Sequence, residues 1–295
     1  MGDRDPLPGL GLTAILVAAA RAAESAAGDR LFDDPFASAF VAAASAASPA
    51  IAEAVARGAG DEAINQARRD AVAVRTRFCD DYLLAATRGG CRQVVLLAAG
   101  LDARAFRLAW PDGVRLWELD TPELFAFKEP ALAALGATPR CERAVVPVDL
   151  REDWPHTLRD AGFNPDQPTA WLIEGLIMYL AEDERDRLLD RMGGLSAMGS
   201  RLALDHRGGF LSTPRVTSAD DPTGERAAAR FAALAAAAAS DRSLTEPEAW
   251  LGAHGWRATV EETGVALARY GRVVPSLQAA SAGAPRGWMA TAERG

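Results

Sequence analysis

A glycine and an acid, Gly100 and Asp120, are 20 positions apart, and each ends a strand-like segment. An apolar run over residues 94–99 stops at Gly100, and a second strand-like segment, residues 114–119, stops at Asp120. A glycine just past a buried strand lets the backbone turn sharply and lets a ligand approach the main chain. An acid that ends the next parallel strand can hold the two hydroxyls of a ribose. The pair predicts a nucleoside cofactor at the carboxyl ends of the first two strands.

The same segment favours S-adenosylmethionine (SAM) over a dinucleotide. A pyrophosphate cradle needs the pattern G-x-G-x-x-G, but its first and third glycine positions hold Ala98 and Ala103. SAM has a ribose and an adenine but no phosphate, so it does not need those glycines. A dinucleotide-dependent oxidoreductase stays open as an alternative, because the strand, the glycine and the acid allow it.

SAM also needs partners for its adenine and for the two charged groups of its methionine part. Asp149 and Leu150 follow the third predicted strand and could bind the adenine amino group and ring, although Asp149 could instead cap the next helix. Arg75, with Arg21 as a helper, could clamp the carboxylate through charge-assisted hydrogen bonds. Glu174 closes the fourth apolar strand, where an acid is costly to bury without a purpose, and it is expected to point into the ligand crevice.

His206 is the candidate general base. It follows Asp205 at the end of the fifth predicted strand. A carboxylic acid acceptor is already ionised at neutral pH and needs no base, whereas a phenol, with a pKa of about 10, would need one. A histidine at this position is also compatible with a structural role.

The elements that must position these residues alternate between strands and helices. This alternation predicts an α/β fold with a seven-stranded, mostly parallel sheet, helices on both faces and an antiparallel pair of strands at the end. Strands are predicted at 93–98, 114–119, 143–148, 169–174, 200–205, 256–261 and 288–291.

The predicted organisation is a single domain of 295 residues with an added cap and lid. Helices are predicted before the first strand, including one that opens at Pro35, and these form an N-terminal cap over residues 1–90. The cofactor-binding core is predicted at 91–206, a lid insertion at 207–245, and the last part of the core at 246–295.

Composition limits the function classes. The formal net charge is −8, the pI is about 5.1, and there is no basic run, so nucleic acid is not an expected partner. Three cysteines without metal-ligand spacing predict neither a disulfide framework nor a metal site. No apolar stretch predicts a membrane span, and we expect a cytoplasmic protein. The oligomeric state is left open.

Seven short stretches together give the chain a family resemblance. They are RAAES at 21–25, LFDDPFA at 31–37, VRTRF at 74–78, LLAAGLDARAFRL at 96–108, WELDTPEL at 117–124, VDLRED at 148–153 and EGLIMYL at 174–180. In this order they resemble the leucine carboxyl methyltransferase-like family of class I SAM-dependent methyltransferases, whose bacterial members include polyketide O-methyltransferases.

The resemblance implies a role for each candidate residue. By position in the motifs, the carboxylate clamp is Arg75 with Arg21 as helper, the loop glycine is Gly100, the ribose acid is Asp120, the adenine pair is Asp149 and Leu150, and the acid near the methionine end is Glu174. The chain departs from the family at Ala98, where many members have glycine. Beyond residue 205 the resemblance is loose, and the acceptor pocket is expected there.

The sequence thus predicts a SAM-dependent O-methyltransferase that acts on a carboxylate or phenolic hydroxyl of a small secondary metabolite. Two alternatives stay open. One is methylation of the C-terminal carboxyl group of a protein, and the other is a SAM-binding protein without catalytic activity.

Overall fold

The computed structural model describes four stretches of the chain. They are residues 11–57, 62–206, 242–272 and 287–295. Most of the lid predicted at 207–245 lies outside them. The chain divides into two units, Met1–Asn164 and Pro165–Gly295, which are described in turn.

The first unit begins with four helices and continues with alternating strands and helices. The helices are α1 (Leu12–Ala26), α2 (Ala37–Ala47), α3 (Pro49–Arg57) and α4 (Glu62–Arg88). The remaining elements are β1 (Gln93–Leu97), α5 (Arg104–Arg107), β2 (Arg115–Asp120), α6 (Pro122–Ala134), β3 (Glu142–Pro147) and α7 (Trp154–Asp160).

The three strands of this unit are parallel, in the order β3-β2-β1. Every residue of β1 is buried, which explains its unbroken apolar sequence. In the register, Leu97 pairs with Leu119, and Asp120 pairs with Pro147. All three strands therefore end at the same edge, and the loops that follow them are neighbours.

Helix α2 begins two residues later than the sequence predicts. Pro35 was expected at the first helical position, but the helix starts at Ala37 with Phe36 as its N-cap residue. Asp34 forms a turn instead: its carbonyl accepts from the N–H of Ala37, and its carboxylate accepts from the N–H of Phe36. The aspartate side chain is 2% exposed, so it belongs to the interior and not to a solvated helix cap.

In the second unit, the described stretches form four strands in the order β4-β5-β7-β6. Strands β4 and β5 are parallel, while β7 pairs antiparallel with both β5 and β6. The elements are β4 (Thr169–Ile173), a 3₁₀ turn (Ile177–Tyr179), α8 (Glu182–Gly193), β5 (Arg201–His206), α9 (Arg242–Thr245), α10 (Pro247–Ala253), β6 (Trp256–Glu262), α11 (Thr263–Arg269) and β7 (Trp288–Arg294).

These elements confirm the α/β prediction. The described residues contain seven strands, five of them parallel to a neighbour, and the last two form the expected antiparallel pair. The sequence did not predict α11 or the 3₁₀ turn. Among the described residues, no helix is both long enough and apolar enough to cross a lipid bilayer.

Candidate functional site

The loop after β1 is bonded to the end of β2 through two backbone N–H groups, and the first, that of Ala99, donates to the carbonyl of Leu119 at 3.0 Å. The backbone N–H of Gly100 donates to Oδ2 of Asp120 at 2.7 Å, and the N–H of Thr121 donates to Oδ1 at 2.7 Å. Each carboxylate oxygen can accept two hydrogen bonds. Asp120 is half-buried and thus keeps acceptor capacity on both oxygens, which suits a pair of vicinal hydroxyls.

The β1 loop has an unusual backbone. Ala98 and Gly100 both have a φ of +52°, and Ala98 is the one non-glycine residue with positive φ in the described part of the chain. A left-handed conformation is costly for alanine, whereas a glycine would adopt it readily. A Cβ placed on Gly100 would meet only the Ala98 carbonyl oxygen, at 4.0 Å. The space beside Gly100 is therefore free of protein atoms.

The protonation of Asp120 depends on its surroundings. Burial raises the pKa of this carboxyl above its ordinary value of 3.8, and the hydrogen bonds from Gly100 and Thr121 partly oppose the rise. Lys128 lowers the pKa of Asp120 and Glu118 raises it, each by charge alone. The group is consequently a carboxylate that loses its charge at a higher pH than an exposed aspartate.

The predicted adenine pair follows β3 at the same sheet edge. The N–H of Val148 donates to the carbonyl of Asp120 at 2.8 Å, so Asp149 is next to the end of β2. Asp149 accepts hydrogen bonds from the backbone and guanidinium of Arg151, and the side-chain hydrogen bond lowers its pKa. It does not cap α7, whose N-cap residue is Asp153. Leu150 is half-buried.

The two predicted carboxylate clamps are close together on neighbouring helices. Arg75 is in α4 and is 5% exposed, and Arg21 is in α1 and is 6% exposed. Nε of Arg21 donates to Oγ1 of Thr76 at 3.2 Å. Arg21 thus contacts the residue that follows Arg75, as expected if both arginines serve one ligand group.

A buried charged network beneath the β1 loop escaped the sequence analysis. Arg104, at the start of α5, donates to Asp80 of α4 and to Asp102 of the loop. Arg107 binds both oxygens of Asp80, at 2.6 and 2.7 Å, and its Nε lies 3.8 Å from Asp34. Apart from Asp102, these partners are 24 or more positions from the arginines, so local spacing gave no sign of them.

Two of the sequence motifs have a structural explanation. In RAAES, Glu24 accepts from the N–H of Leu31 at 2.6 Å, and Ser25 Oγ accepts from the N–H of Asp34 at 2.8 Å. In LFDDPFA, Phe32 packs under the guanidinium of Arg107, 5.4 Å from the ring centroid. These residues hold the segment between α1 and α2, and we assign them no ligand contact.

Glu174 and His206 belong to the second unit. Glu174 follows β4, and the next residue, Gly175, has a φ of +67° and donates its N–H to Asp205 at 2.6 Å. His206 is 4% exposed, and its ring is 5.9 Å from that of Trp288. Successive strand residues point to opposite faces. Asp205 and His206 therefore point to opposite faces of the sheet.

The described residues thus form an α/β protein in which a glycine loop after β1 is bonded to the acid that ends β2. The leucine carboxyl methyltransferase family model matches residues 14–193. The chain belongs to this family, as the sequence motifs predicted. The match includes every predicted cofactor-binding residue and ends before His206.

Two bacterial relatives, both named "putative S-adenosyl-L-methionine-dependent methyltransferase", are similar to the chain. One, from Parafrankia sp. (strain EAN1pec), is 46% identical over 97% of this chain and 87% of its own length. The other, from Mycobacterium avium (strain 104), is 44% identical over 68% of this chain and 66% of its own length.

Two solved structures share the fold. A DUF574 family protein from Streptomyces avermitilis is 15% identical, with a TM-score of 0.51 over 99% of this chain and all of that chain. A "putative methyltransferase" from Thermobifida fusca YX is 17% identical, with a TM-score of 0.51 over 97% of both chains. At these identities the likeness concerns the fold alone.

Proposed function

We propose that the protein is an O-methyltransferase that transfers the methyl group of SAM to a carboxylate or phenolic hydroxyl of a small molecule. Membership of the leucine carboxyl methyltransferase family makes the chain a methyltransferase, and the names of its relatives support SAM as the methyl donor. The same findings favour this reading over a dinucleotide-dependent oxidoreductase.

The hydrogen bond between Gly100 and Asp120 carries the proposal. It places an acid with spare acceptor capacity beside an open glycine loop at the ends of two parallel strands. This arrangement fits a ribose, because its hydroxyls can donate to the carboxylate while the nucleoside rests against the main chain. The neighbouring Asp149 and Leu150 suit an adenine amino group and ring.

The chain's own residues would contribute binding and orientation. SAM supplies an activated methyl group that is transferred in one in-line displacement, so the protein needs to align the reactants and exclude water. In our proposal Asp120 holds the ribose, Arg75 and Arg21 hold the carboxylate of the methionine part, and Glu174 binds its ammonium group. His206 would remove the proton only when the acceptor is a phenol.

Binding of S-adenosylhomocysteine, measured by titration calorimetry, tests the cofactor site. Asp120→Ala removes the ribose acceptor and should raise Kd about a hundredfold, and Arg75→Ala should raise it about tenfold or more. Arg69→Ala is the matched control, because Arg69 is on the same helix and bonds Gln66. Folded wild-type protein that does not bind the ligand would contradict the proposal.

The acceptor class can be tested with SAM labelled in its methyl group. Small carboxylic acids and phenols are offered separately, and each product is treated with mild alkali. A methyl ester then releases labelled methanol, whereas a methyl ether keeps its label. His206→Ala should abolish transfer to a phenol and leave transfer to an acid, and full activity with both would remove the proposed base.

The two remaining alternatives predict different results in the same assay. A protein C-terminus as acceptor would leave alkali-labile label on a polypeptide. A non-catalytic SAM-binding protein would bind S-adenosylhomocysteine and transfer no label to any acceptor. We favour the small-molecule acceptor. The proposal keeps the single-domain organisation, with a lid at residues 207–245.

A further inference from the structure

We propose that Arg104 is a positioning residue that sets the place of Arg75, the proposed clamp on the carboxylate of SAM, relative to the Gly100 loop. This role rests on the proposed function. Arg104 is on neither of the surfaces that we assign to the ligand, and its side chain is 0% exposed.

Arg104 connects the β1 loop to one particular turn of α4. Its backbone N–H donates to Oδ1 of Asp102 at 2.7 Å, and its Nη1 bonds the other oxygen of the same carboxylate. Its Nε donates to Asp80 at 2.6 Å, and its Nη2 donates to the carbonyl of Thr76 at 3.3 Å. One guanidinium therefore fixes the loop, two residues past Gly100, to the helix, one residue past Arg75.

Thr76 is the point where the two proposed clamps meet. Its side chain accepts from Nε of Arg21, and its carbonyl accepts from Arg104. Thr76 is 0% exposed, so both bonds are made in the interior. A shift of Arg104 would therefore move Thr76, which bonds Arg21, and the turn of α4 that carries Arg75.

Stability alone is a weak reason for this arrangement. A buried ion pair is often no more stabilising than apolar residues of similar volume, because both charges must leave water. An arginine does provide a rigid planar fork, which fixes directions as well as distances. The guanidinium of Arg104 bonds three acceptors, which are Asp102 in the loop and Asp80 and the Thr76 carbonyl in α4. This number of fixed directions suits a residue that positions one segment against the other.

The neighbouring Arg107 does not duplicate this role. It binds both oxygens of Asp80 and packs near Asp34 and Phe32. The charge of Asp80 keeps the pKa of Arg107 above its ordinary value, although burial by itself would lower it. Arg107 thus stabilises Asp80, while Arg104 adds the bonds to the loop and to Thr76.

The test separates the two halves of the ligand. S-Adenosylhomocysteine contains the amino acid part, and 5′-methylthioadenosine lacks it. Calorimetric Kd values for both ligands are compared in wild type, Arg104→Lys, Arg75→Ala and the double variant. Arg143→Lys is the control: it also keeps the charge and loses a buried fork, but its partners are Glu118 and Glu129.

Arg104→Lys should raise the Kd of S-adenosylhomocysteine about tenfold and change the Kd of methylthioadenosine by less than about twofold. In the Arg75→Ala background it should cause no further loss, because coupled residues are not additive. The control should leave both Kd values near wild type. Near-UV circular dichroism checks that each variant is folded.

Unchanged binding of S-adenosylhomocysteine, or an equal loss of both ligands, would overturn the role of Arg104. Failure of the wild type to bind S-adenosylhomocysteine would instead overturn the proposed function. If Arg104→Lys does not fold, Asp102→Asn is the second variant, because it keeps an acceptor for the Arg104 N–H and weakens the side-chain ion pair. The same selective loss is then expected from it.

Discussion

Oδ1 of Asp205, near the end of β5, accepts a hydrogen bond of 2.6 Å from the backbone N–H of Gly175, which follows β4. The first unit contains the same arrangement: Asp120, at the end of β2, accepts a hydrogen bond from the N–H of Gly100, which follows β1. In both cases a carboxylate on one strand holds a positive-φ glycine past the neighbouring strand. The loop that carries a proposed ligand residue is thereby fixed in each unit.

This relationship predicts that Asp205 supports Glu174. Asp205→Ala leaves the N–H of Gly175 without its acceptor and should lower the free energy of unfolding by about 1–3 kcal/mol. It should also weaken the binding of S-adenosylhomocysteine, because the turn after Glu174 loses its hydrogen bond to Asp205. Asp205→Asn keeps an acceptor oxygen and should recover most of both losses. Urea unfolding and calorimetry measure the effects, and equal behaviour of the two variants would contradict the prediction.

A pH dependence follows from the raised pKa of Asp120. The ionised carboxylate accepts from ribose hydroxyls, so protonation as the pH falls should weaken S-adenosylhomocysteine. Because burial raises this pKa above 3.8, the loss begins at a higher pH than for an exposed aspartate. The Kd is measured from about pH 7 down to about pH 4.5, where the ligand's own groups do not titrate.

Asp120→Asn is the control for this profile. It cannot ionise, so its weaker binding should not vary over the same range. A slope that survives in the asparagine variant would assign the pH dependence to another group, and a flat wild-type profile would contradict the predicted role of Asp120.

The backbone of the β1 loop gives a matched pair of substitutions. Gly100→Ala forces an alanine to a φ of +52° and should cost about 1 kcal/mol of stability. Its Cβ meets no close protein atom, so a loss of S-adenosylhomocysteine affinity beyond that cost would indicate contact with the ligand. Ala98→Gly relieves the same kind of strain and should change stability by less than about 1 kcal/mol. Unchanged ligand affinity in Gly100→Ala would contradict the proposed approach of the nucleoside.

The sequence predicted the parts of the fold that depend on local patterns. The apolar run before Gly100 and the acid at Asp120 were sufficient to identify two adjacent strands and their loop. The start of α2 at Ala37 could not be predicted. It depends on the buried carboxylate of Asp34, which lies near Arg107, 73 positions further along the chain. The contact of Arg104 with Thr76 was hidden for the same reason, since side chains that meet only after folding have no characteristic spacing.

The only lysine of the chain illustrates this limit and gives the last prediction. Lys128 is 0% exposed, and its Nζ donates to Glu118 at 2.6 Å. Arg143 binds the same carboxylate. Lys128→Met should therefore leave Glu118 paired and cost about 2 kcal/mol of unfolding free energy. Arg187→Met breaks an exposed pair with Asp183 and should cost much less, because solvent screens such a pair. Urea unfolding compares the two, and native Lys128 should resist amine-reactive reagents until the protein unfolds. Equal costs, or rapid labelling of Lys128 in the native state, would contradict its burial with Glu118.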